Sequence, residues 1–125
     1  MKRLALLLLV VLVPFGPIIG SGGIGEGYAR PEMLVETGWL EAHLNDPDVR
    51  VVDLRSASAY ERGHIKNAVL LDETMLRNGN EELLYLPSAA DVAAVMSRLG
   101  ISNSTHVIAY DDAGGIRAAR LWLVL

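Results

Sequence analysis

Three short runs of apolar, largely β-branched residues constrain the fold of this 125-residue chain more than any other feature. They span Arg50–Leu54, Ala68–Leu71 and His106–Tyr110. Inside each run the apolar residues are mostly consecutive rather than alternating with polar ones, which is typical of strands buried on both faces of a parallel sheet. The runs therefore predict a sheet in the interior of an α/β domain.

Segments with helical patterns and helix-capping residues separate these runs. Strands that alternate with helices predict a three-layer domain with a mostly parallel central sheet. Ser and Thr ahead of an apolar stripe mark where helices begin. The predicted segments are helices over Thr37–His43, Ser58–Glu61, Ser88–Leu99 and Ile116–Leu125, a candidate strand over Met33–Val35 and a surface loop over Asp72–Pro87.

The N-terminus has the layout of a secretory signal peptide. Lys2 and Arg3 precede an unbroken apolar run over Leu4–Val13, and Pro14 then interrupts it. A positive segment followed by a short apolar run is typical of a leader, and the run is too short for an ordinary membrane-spanning helix. We expect residues 1–29 to be a signal peptide and a Gly-rich spacer, and residues 30–125 to form one domain.

Cleavage of the leader would place the protein in the periplasm or outside the cell. Small residues before Arg30 make Ala29 a plausible cleavage point, and a site near Gly20 or Ser21 is an alternative. An uncleaved segment would instead anchor the chain in the inner membrane, which is the only case in which we expect a membrane partner.

Composition excludes several kinds of site. The chain has no cysteine, so it has no disulfide, no thiolate metal site and no thiol nucleophile. Its formal net charge is −4 and it has no Lys/Arg run in the predicted domain, which makes nucleic acid an unsuitable partner. The three histidines are far apart and lack metal-ligand spacing. We therefore expect no metal and no cofactor.

The loop after the third strand is the most informative candidate site. A strand, a Gly-containing loop and a helix N-terminus aim several backbone N–H groups at one point, an arrangement that stabilises anions. Asp111 and Asp112 occupy this loop, and Gly114 and Gly115 complete it. We expect a carboxylate here to satisfy the N–H groups as a helix cap and loop lock. The alternative is that the carboxylate acts as a nucleophile.

Four motifs carry a family resemblance. They are Val51–Arg55, Tyr60–Ile65, Leu99–Ser102 and Val107–Asp112. Together they resemble a rhodanese domain, a sulfur-transfer domain whose chemistry depends on a cysteine thiolate. The resemblance implies that Asp111-Asp112 stands where a catalytic rhodanese has its cysteine. It also implies that the loop corresponds to the cradle that lowers the pKa of that cysteine.

Two further motifs narrow the resemblance. Ala118–Trp122 and Leu86–Ser88 are similar to the first, cysteine-less domain of two-domain thiosulfate/3-mercaptopyruvate sulfurtransferases. The resemblance implies a noncatalytic domain of an exported enzyme that transfers sulfane sulfur from one of these small-molecule donors to cyanide or a thiol. The domain would form one wall of a cleft against a catalytic rhodanese domain of the same parent chain. The alternative is a non-enzymatic rhodanese-like binding or scaffold module.

The same resemblance implies that the chain is an incomplete domain. Rhodanese domains normally continue past the last predicted helix with another strand and helix. The helix ends here on an apolar stretch, Leu121–Leu125, without a capping residue. We therefore expect truncation at the C-terminus, with one sheet edge left open and prone to association.

His64 is the residue for which the resemblance implies an assisting chemical role. The corresponding histidine of mercaptopyruvate-type relatives lies near the cleft between domains and is suited to proton transfer, because the pKa of an imidazole is near neutral. The alternative is that His64 is a turn residue bonded to nearby backbone or to Glu61.

Four other charged residues are expected to brace the site. Asp53 and Arg55 end a buried strand, and the resemblance implies that such a pair holds loops in place. Arg117 and Arg120 lie beside the acidic loop, where they could neutralise Asp111 or Asp112.

Overall fold

The computed structural model describes residues 8–11, 30–77 and 86–125. Its strands are β1 (Leu8–Val11), β2 (Val49–Asp53), β3 (Val69–Leu70) and β4 (His106–Tyr110), and its α-helices are α1 (Thr37–His43), α2 (Ala57–Arg62), α3 (Ala89–Arg98) and α4 (Ile116–Val124). Two 3-10 helices span Pro31–Met33 and Glu73–Leu76.

The strands form one mixed sheet in the order β1-β4-β2-β3. β2 runs parallel to both β3 and β4, and β1 pairs antiparallel with β4. The predicted α/β class with a mostly parallel central sheet is therefore confirmed.

Consecutive strand residues point to opposite faces of the sheet, and both faces are covered. Val52 and Ala109 belong to a core cluster that also contains residues of α3 and α4, including Leu121. Their neighbours Val51 and Ile108 belong to a second cluster, which includes Leu40 of α1. Burying a large aliphatic side chain stabilises the fold by about 1.5–3 kcal/mol. This two-sided burial explains why the strand sequences are continuously apolar.

Helix starts follow the predicted capping chemistry in α3 and differ from it in α2. The Ser88 hydroxyl accepts a hydrogen bond from the Asp91 N–H at 3.2 Å, and the chain leaves the helix through Gly100 at a φ of +70°. In α2 the cap is Ser56, whose hydroxyl accepts from the Ala59 N–H, and the predicted Ser58 lies inside the helix. α1 begins without a side-chain cap, since Glu36 and not Thr37 occupies the N-cap position.

The predicted strand over Met33–Val35 is wrong. Pro31 begins a 3-10 helix that ends at Met33, and Leu34 makes only an isolated bridge. Proline's fixed φ suits the first position of a helix, which explains why the apolar residues after it do not extend.

The predicted loop over Asp72–Pro87 contains structure at its start. The Asp72 side chain accepts from the Thr74 N–H at 2.9 Å and caps the 3-10 helix Glu73–Leu76, whose Leu76 is fully buried. Residues 78–85 lie outside the described residues.

Leu8–Val11, part of the predicted leader, pairs with β4 from Leu8 opposite Tyr110 to Val11 opposite Val107. The rest of residues 1–29 lies outside the described residues, and cleavage of the leader stays a prediction. In the part of the chain that the structure describes, no helix is both long and apolar enough to span a bilayer.

Candidate functional site at the carboxyl edge of the sheet

The carboxyl ends of β2, β3 and β4 meet at one edge of the sheet. Asp53, the last residue of β2, lies in register with Leu70 on one side and Tyr110 on the other. Parallel strands end together, so the segments that follow them become neighbours, and this is the edge at which α/β sheets bind ligands. The predicted pair Asp53/Arg55 and the predicted acidic loop after Tyr110 are thus brought to the same edge.

Asp53 is a fully buried carboxylate with a complete set of donors. The Arg55 guanidinium donates to it through Nε at 3.0 Å and Nη2 at 2.7 Å, and the Arg55 backbone N–H donates at 2.9 Å. The Tyr110 hydroxyl, from the neighbouring strand, donates to the second oxygen. A buried charge is tolerated when it is paired and hydrogen-bonded in this way.

The same groups hold the turn that follows α2. Arg55 Nη2 donates to the Gly63 carbonyl at 2.8 Å, and the Ile65 N–H donates to the Tyr110 hydroxyl at 3.2 Å. The Arg55 guanidinium also lies 5.2 Å from the centre of the Tyr110 ring, within the range of a cation–π interaction. Asp53, Arg55 and Tyr110 therefore tie β2, β4 and the turn carrying His64 into one brace.

The charge state of this brace follows from its contacts. Burial raises the pKa of Asp53, but hydrogen bonds from Arg55 and Tyr110 outweigh burial and hold that pKa below its ordinary value. Burial and the bond to Asp53 raise the pKa of Tyr110 to about 12. The Asp53 hydrogen bond raises the pKa of Arg55. At neutral pH the brace is an ion pair joined to a neutral phenol.

Asp111 fills the backbone cradle at the start of α4. One carboxylate oxygen accepts from the N–H groups of Ala113 and Gly115, each at 2.8 Å. The other accepts from those of Arg117 and Ala118, each at 2.9 Å. Asp111 is only 5% exposed, so these four backbone donors replace the water that the carboxylate has lost.

Two glycines make this convergence of N–H groups possible. Gly114 and Gly115 have φ values of +71° and +89°, a region that residues with a Cβ seldom adopt. Turning the chain through this region before α4 points successive N–H groups into one concavity, which suits a negative charge at a helix N-terminus. The predicted roles of Gly114 and Gly115 in the loop thus have a conformational reason.

The contacts of Asp111 determine what it can do chemically. Burial raises the pKa of Asp111, but its backbone hydrogen bonds, led by that from Ala118, outweigh burial and leave it below its ordinary value. The group is therefore an ionised carboxylate at neutral pH. Each of its oxygens is already engaged by two donors, which favours the cap and loop lock over the alternative of a nucleophile.

Asp112 points to the outer side of the loop, where charges pair along the surface. It accepts from Arg117 Nη1 at 2.7 Å and is 55% exposed. Arg117 Nε lies 3.4 Å from Glu73, which accepts from Arg77 at 2.7 Å. Ion pairs this exposed contribute about 0–1 kcal/mol each. Arg117 therefore links the acidic loop to the 3-10 helix after β3.

The other two predicted site residues have clear contacts. Arg120 Nη2 donates to the Leu76 carbonyl at 3.2 Å and so braces α4 against the 3-10 helix. His64 is exposed, its ring stacks on that of Tyr60 at a centroid distance of 3.7 Å, and its Nδ1–H donates to the Tyr60 carbonyl at 2.9 Å. These contacts agree with the turn-residue alternative, and the assisting role of His64 stays a prediction.

Two members of this edge were missing from the predicted site. The Tyr110 hydroxyl bridges two strands, and Glu73 joins two arginines. A tyrosine at the end of a buried strand was the one available signal, because a buried phenol O–H needs a partner. Glu73 has a local partner in Arg77, four residues along the chain, but it joins this edge through Arg117, which is distant in the sequence. Across the described residues, His, Asp and Glu side chains form no group of three that could hold a metal.

Comparison with known proteins gives the relationship directly. The sequence model described as Rhodanese-like domain matches residues 36–125. The chain is 38% identical over 100 residues to the sulfur carrier protein TtuD of Thermus thermophilus, covering 74% of this chain and 33% of that protein. It is 32% identical over 102 residues to the 3-mercaptopyruvate sulfurtransferase of Escherichia coli, covering 73% and 36%. It is 32% identical over 123 residues to thiosulfate/3-mercaptopyruvate sulfurtransferase 2 of Arabidopsis thaliana, covering 86% and 36%.

The chain matches only about a third of the length of each of these relatives. The match includes both the brace and the cradle, since it runs from before α1 through α4. On the extent of this match and on these identities, the chain belongs to the rhodanese-like domain family and is related to sulfurtransferases.

Proposed function

We propose that this chain is a noncatalytic rhodanese domain of an exported sulfurtransferase, whose parent moves sulfane sulfur from thiosulfate or 3-mercaptopyruvate to cyanide or a thiol. One observation carries the proposal. The cradle after β4 is intact, but its occupant is the Asp111 carboxylate with four backbone donors. Sulfur transfer through a cysteine needs a thiolate that attacks sulfur and then carries it, and the chain has no cysteine.

The partner in this proposal is a catalytic rhodanese domain of the same parent chain. The printed names of the relatives support an enzyme that takes a small-molecule sulfur donor, and their greater length supports a further domain. The braced carboxyl edge, with Asp53/Arg55 and the turn at His64 held rigidly, would supply one wall of the cleft. A non-enzymatic binding or scaffold module is the other outcome that the experiments below distinguish.

The first experiment places a thiol in the cradle. Asp111→Cys, incubated with thiosulfate, should form a Cys–sulfur bond as the thiolate attacks the sulfane sulfur and sulfite leaves. Cyanide then removes the outer sulfur as thiocyanate and regenerates the thiolate. We expect close to one cyanide-releasable sulfur per Asp111→Cys chain, because the cradle N–H groups stabilise the thiolate. The native chain should give none.

Asp112→Cys is the matched control, because its side chain lies outside the cradle and it should load far less sulfur. Equal loading of the two variants would mean that the cradle has no special chemistry, which would favour the scaffold module. Thiocyanate formed catalytically by the native chain would overturn the noncatalytic assignment. The fold of each variant is checked by its thermal unfolding.

The export part of the proposal rests on Lys2, Arg3 and the apolar run after them. Mass spectrometry of the chain recovered from a bacterial periplasm should show a first residue between Ser21 and Arg30. Intact Met1 in the cytosol would contradict export, and intact Met1 in the membrane fraction would indicate the anchor instead.

A further inference from the structure

Helix α1 depends on its contacts with the sheet to stay in place. It is seven residues long, its N-cap residue Glu36 makes no side-chain cap hydrogen bond, and within it only Leu40 is buried. Isolated helices this short are marginal in water, and most of the stability of such a helix comes from tertiary packing. The residues through which α1 contacts the sheet therefore decide whether it stays docked.

Three aromatic side chains, here called the ring cluster, join α1 to the amino end of the sheet. They are Trp39 and His43 of α1 and His106, the first residue of β4. The Trp39 ring stacks on that of His43 at a centroid distance of 4.0 Å and meets that of His106 edge-on at 5.5 Å. His43 Nδ1–H donates to the Trp39 carbonyl at 2.6 Å. His106 is thus the ring through which the cluster contacts the sheet.

One nitrogen of His106 makes the cluster sensitive to the charge of that ring. His106 Nε2 is buried and has no hydrogen-bond partner among the residues that the structure describes. A neutral imidazole can leave this nitrogen as a lone pair, whereas an imidazolium carries an N–H on both nitrogens. A buried charged donor without an acceptor costs more free energy than an unpaired neutral atom. The docked cluster therefore holds the neutral ring.

The titratable groups that act on His106 lie on two sides of it. His43 is on α1, and Asp48 directly precedes β2, where its carbonyl accepts from the His106 N–H at 2.6 Å. Burial lowers the pKa of His106, the charge of Asp48 raises it and that of His43 lowers it, and the balance leaves the pKa below its ordinary value of 6.5. Val49, which lies opposite His106 in β2, carries no charge. The Asp48 carboxylate thus offsets the cost of a protonated ring only in part.

We propose that the ring cluster is a pH-sensitive contact and that protonation of His106 releases α1 from the sheet. The sign follows from the two states of the ring. While α1 is docked the pKa of His106 is lowered, and in water it returns to about 6.5. The stabilisation of docked α1 is therefore complete above about pH 6.5 and is lost as pH falls through the lowered value. This inference does not depend on sulfur transfer or on export.

Release of α1 would also remove support from the turn that carries His64. Asn67, in the same turn, donates through Nδ2 to the carbonyl of Leu44, the residue directly after α1, at 2.9 Å. Leu44 and Ile65 pack against the same core cluster as Trp39. We therefore expect mild acid to loosen α1 and this turn together, while the centre of the sheet stays closed.

Amide hydrogen exchange of the full chain at pH 7.5 and pH 5.5, corrected for the intrinsic effect of pH, tests this expectation. Protection of the α1 amides should fall by roughly fivefold or more at pH 5.5, and protection of the β2 amides should change little. Asp53 and Asp111 are not responsible for such a change, because their lowered pKa values keep them ionised over this range. Unchanged protection of α1, or an equal loss in β2, would overturn the proposal.

Two variants identify the titrating ring. His106→Phe keeps an aromatic edge against Trp39 but cannot take up a proton, so protection of α1 should be the same at both pH values. His106→Gln is equally unable to titrate and gives the same comparison if the Phe variant does not fold. His43→Phe is the matched control, since it keeps the stack and leaves His106 in place, and it should retain the pH response. A response that persists without His106, or disappears in His43→Phe, would show that His106 is not the titrating group.

Discussion

At the scale of single residues, Asp111 shows how a carboxylate of the chain itself can satisfy the backbone N–H groups of a loop that would otherwise suit a bound anion. Its two oxygens accept from four backbone N–H groups that would otherwise be unpaired inside the protein. Because the hydrogen bonds hold the pKa of Asp111 below its ordinary value, the ionised form stabilises the folded state.

Asp111→Asn should lower the free energy of unfolding at pH 7 by about 2–4 kcal/mol, because it removes the charge and turns an NH₂ group toward N–H donors. The sign of the pH dependence follows from the lowered pKa. The stabilisation is present above the unfolded pKa of about 4 and is lost as pH falls through the folded value. Urea unfolding of both proteins at pH 7 and pH 3 should therefore show a smaller difference at pH 3.

Asp112→Asn is the matched control for that experiment. The Asp112 side chain is 55% exposed and pairs with Arg117 at the surface. Asp112→Asn should therefore change the free energy of unfolding by no more than about 0.5 kcal/mol. If the two variants lose equal stability, or if the Asp111 effect is the same at both pH values, the buried ionised cap is the wrong description.

The residue scale also shows where prediction from the sequence stops. Asp53/Arg55 could be predicted as a brace because the pair ends a buried strand and the family resemblance implies that role. The third member, the Tyr110 hydroxyl, lies in another strand, and only the register of β2 with β4 brings it to Asp53. Glu73 and Arg117 are likewise joined by tertiary structure alone.

At the scale of elements, β2, β4 and α3 lie within a residue or so of their predicted bounds. Two-sided burial leaves a strong sequence pattern in β2 and β4, and Ser88 marks the start of α3. α2 was less well predicted because Ser56 and Ser58 both offer a capping hydroxyl within three residues. The apolar run Leu4–Val13 fits both a leader and an edge strand, so its sequence pattern alone could not reveal β1.

Ser56→Ala should destabilise the domain by about 1 kcal/mol, because the Ala59 N–H at the start of α2 loses its acceptor. Ser58→Ala should have an effect within about 0.5 kcal/mol, since that residue is exposed and lies inside the helix. The midpoints of urea unfolding of the two variants show which serine caps α2. A larger loss of stability in Ser58→Ala than in Ser56→Ala would mean that Ser58 is the cap, as the sequence predicts.

At the scale of the whole molecule, the two ends of the sheet differ in chemistry. The carboxyl end holds the brace and the cradle, both built on ionised carboxylates. The other end holds an aromatic cluster, in which the Trp39 ring stacks on His43 at a centroid distance of 4.0 Å and meets His106 edge-on at 5.5 Å. Burial lowers the pKa of His106 in this cluster, so its imidazole favours the neutral form.

This division gives the molecule two intrinsic optical reporters. An indole stacked on an imidazole changes its emission when the stack opens, so Trp39 fluorescence follows one end, once Trp122→Phe has removed the other indole. Tyr110 follows the opposite end once Tyr28, Tyr60 and Tyr85 have been replaced by Phe. A phenol with a pKa of about 12 acquires phenolate absorption near pH 11 only after its burial is lost. Denaturation recorded by both signals at that pH would show whether the domain opens as one cooperative unit or one end at a time.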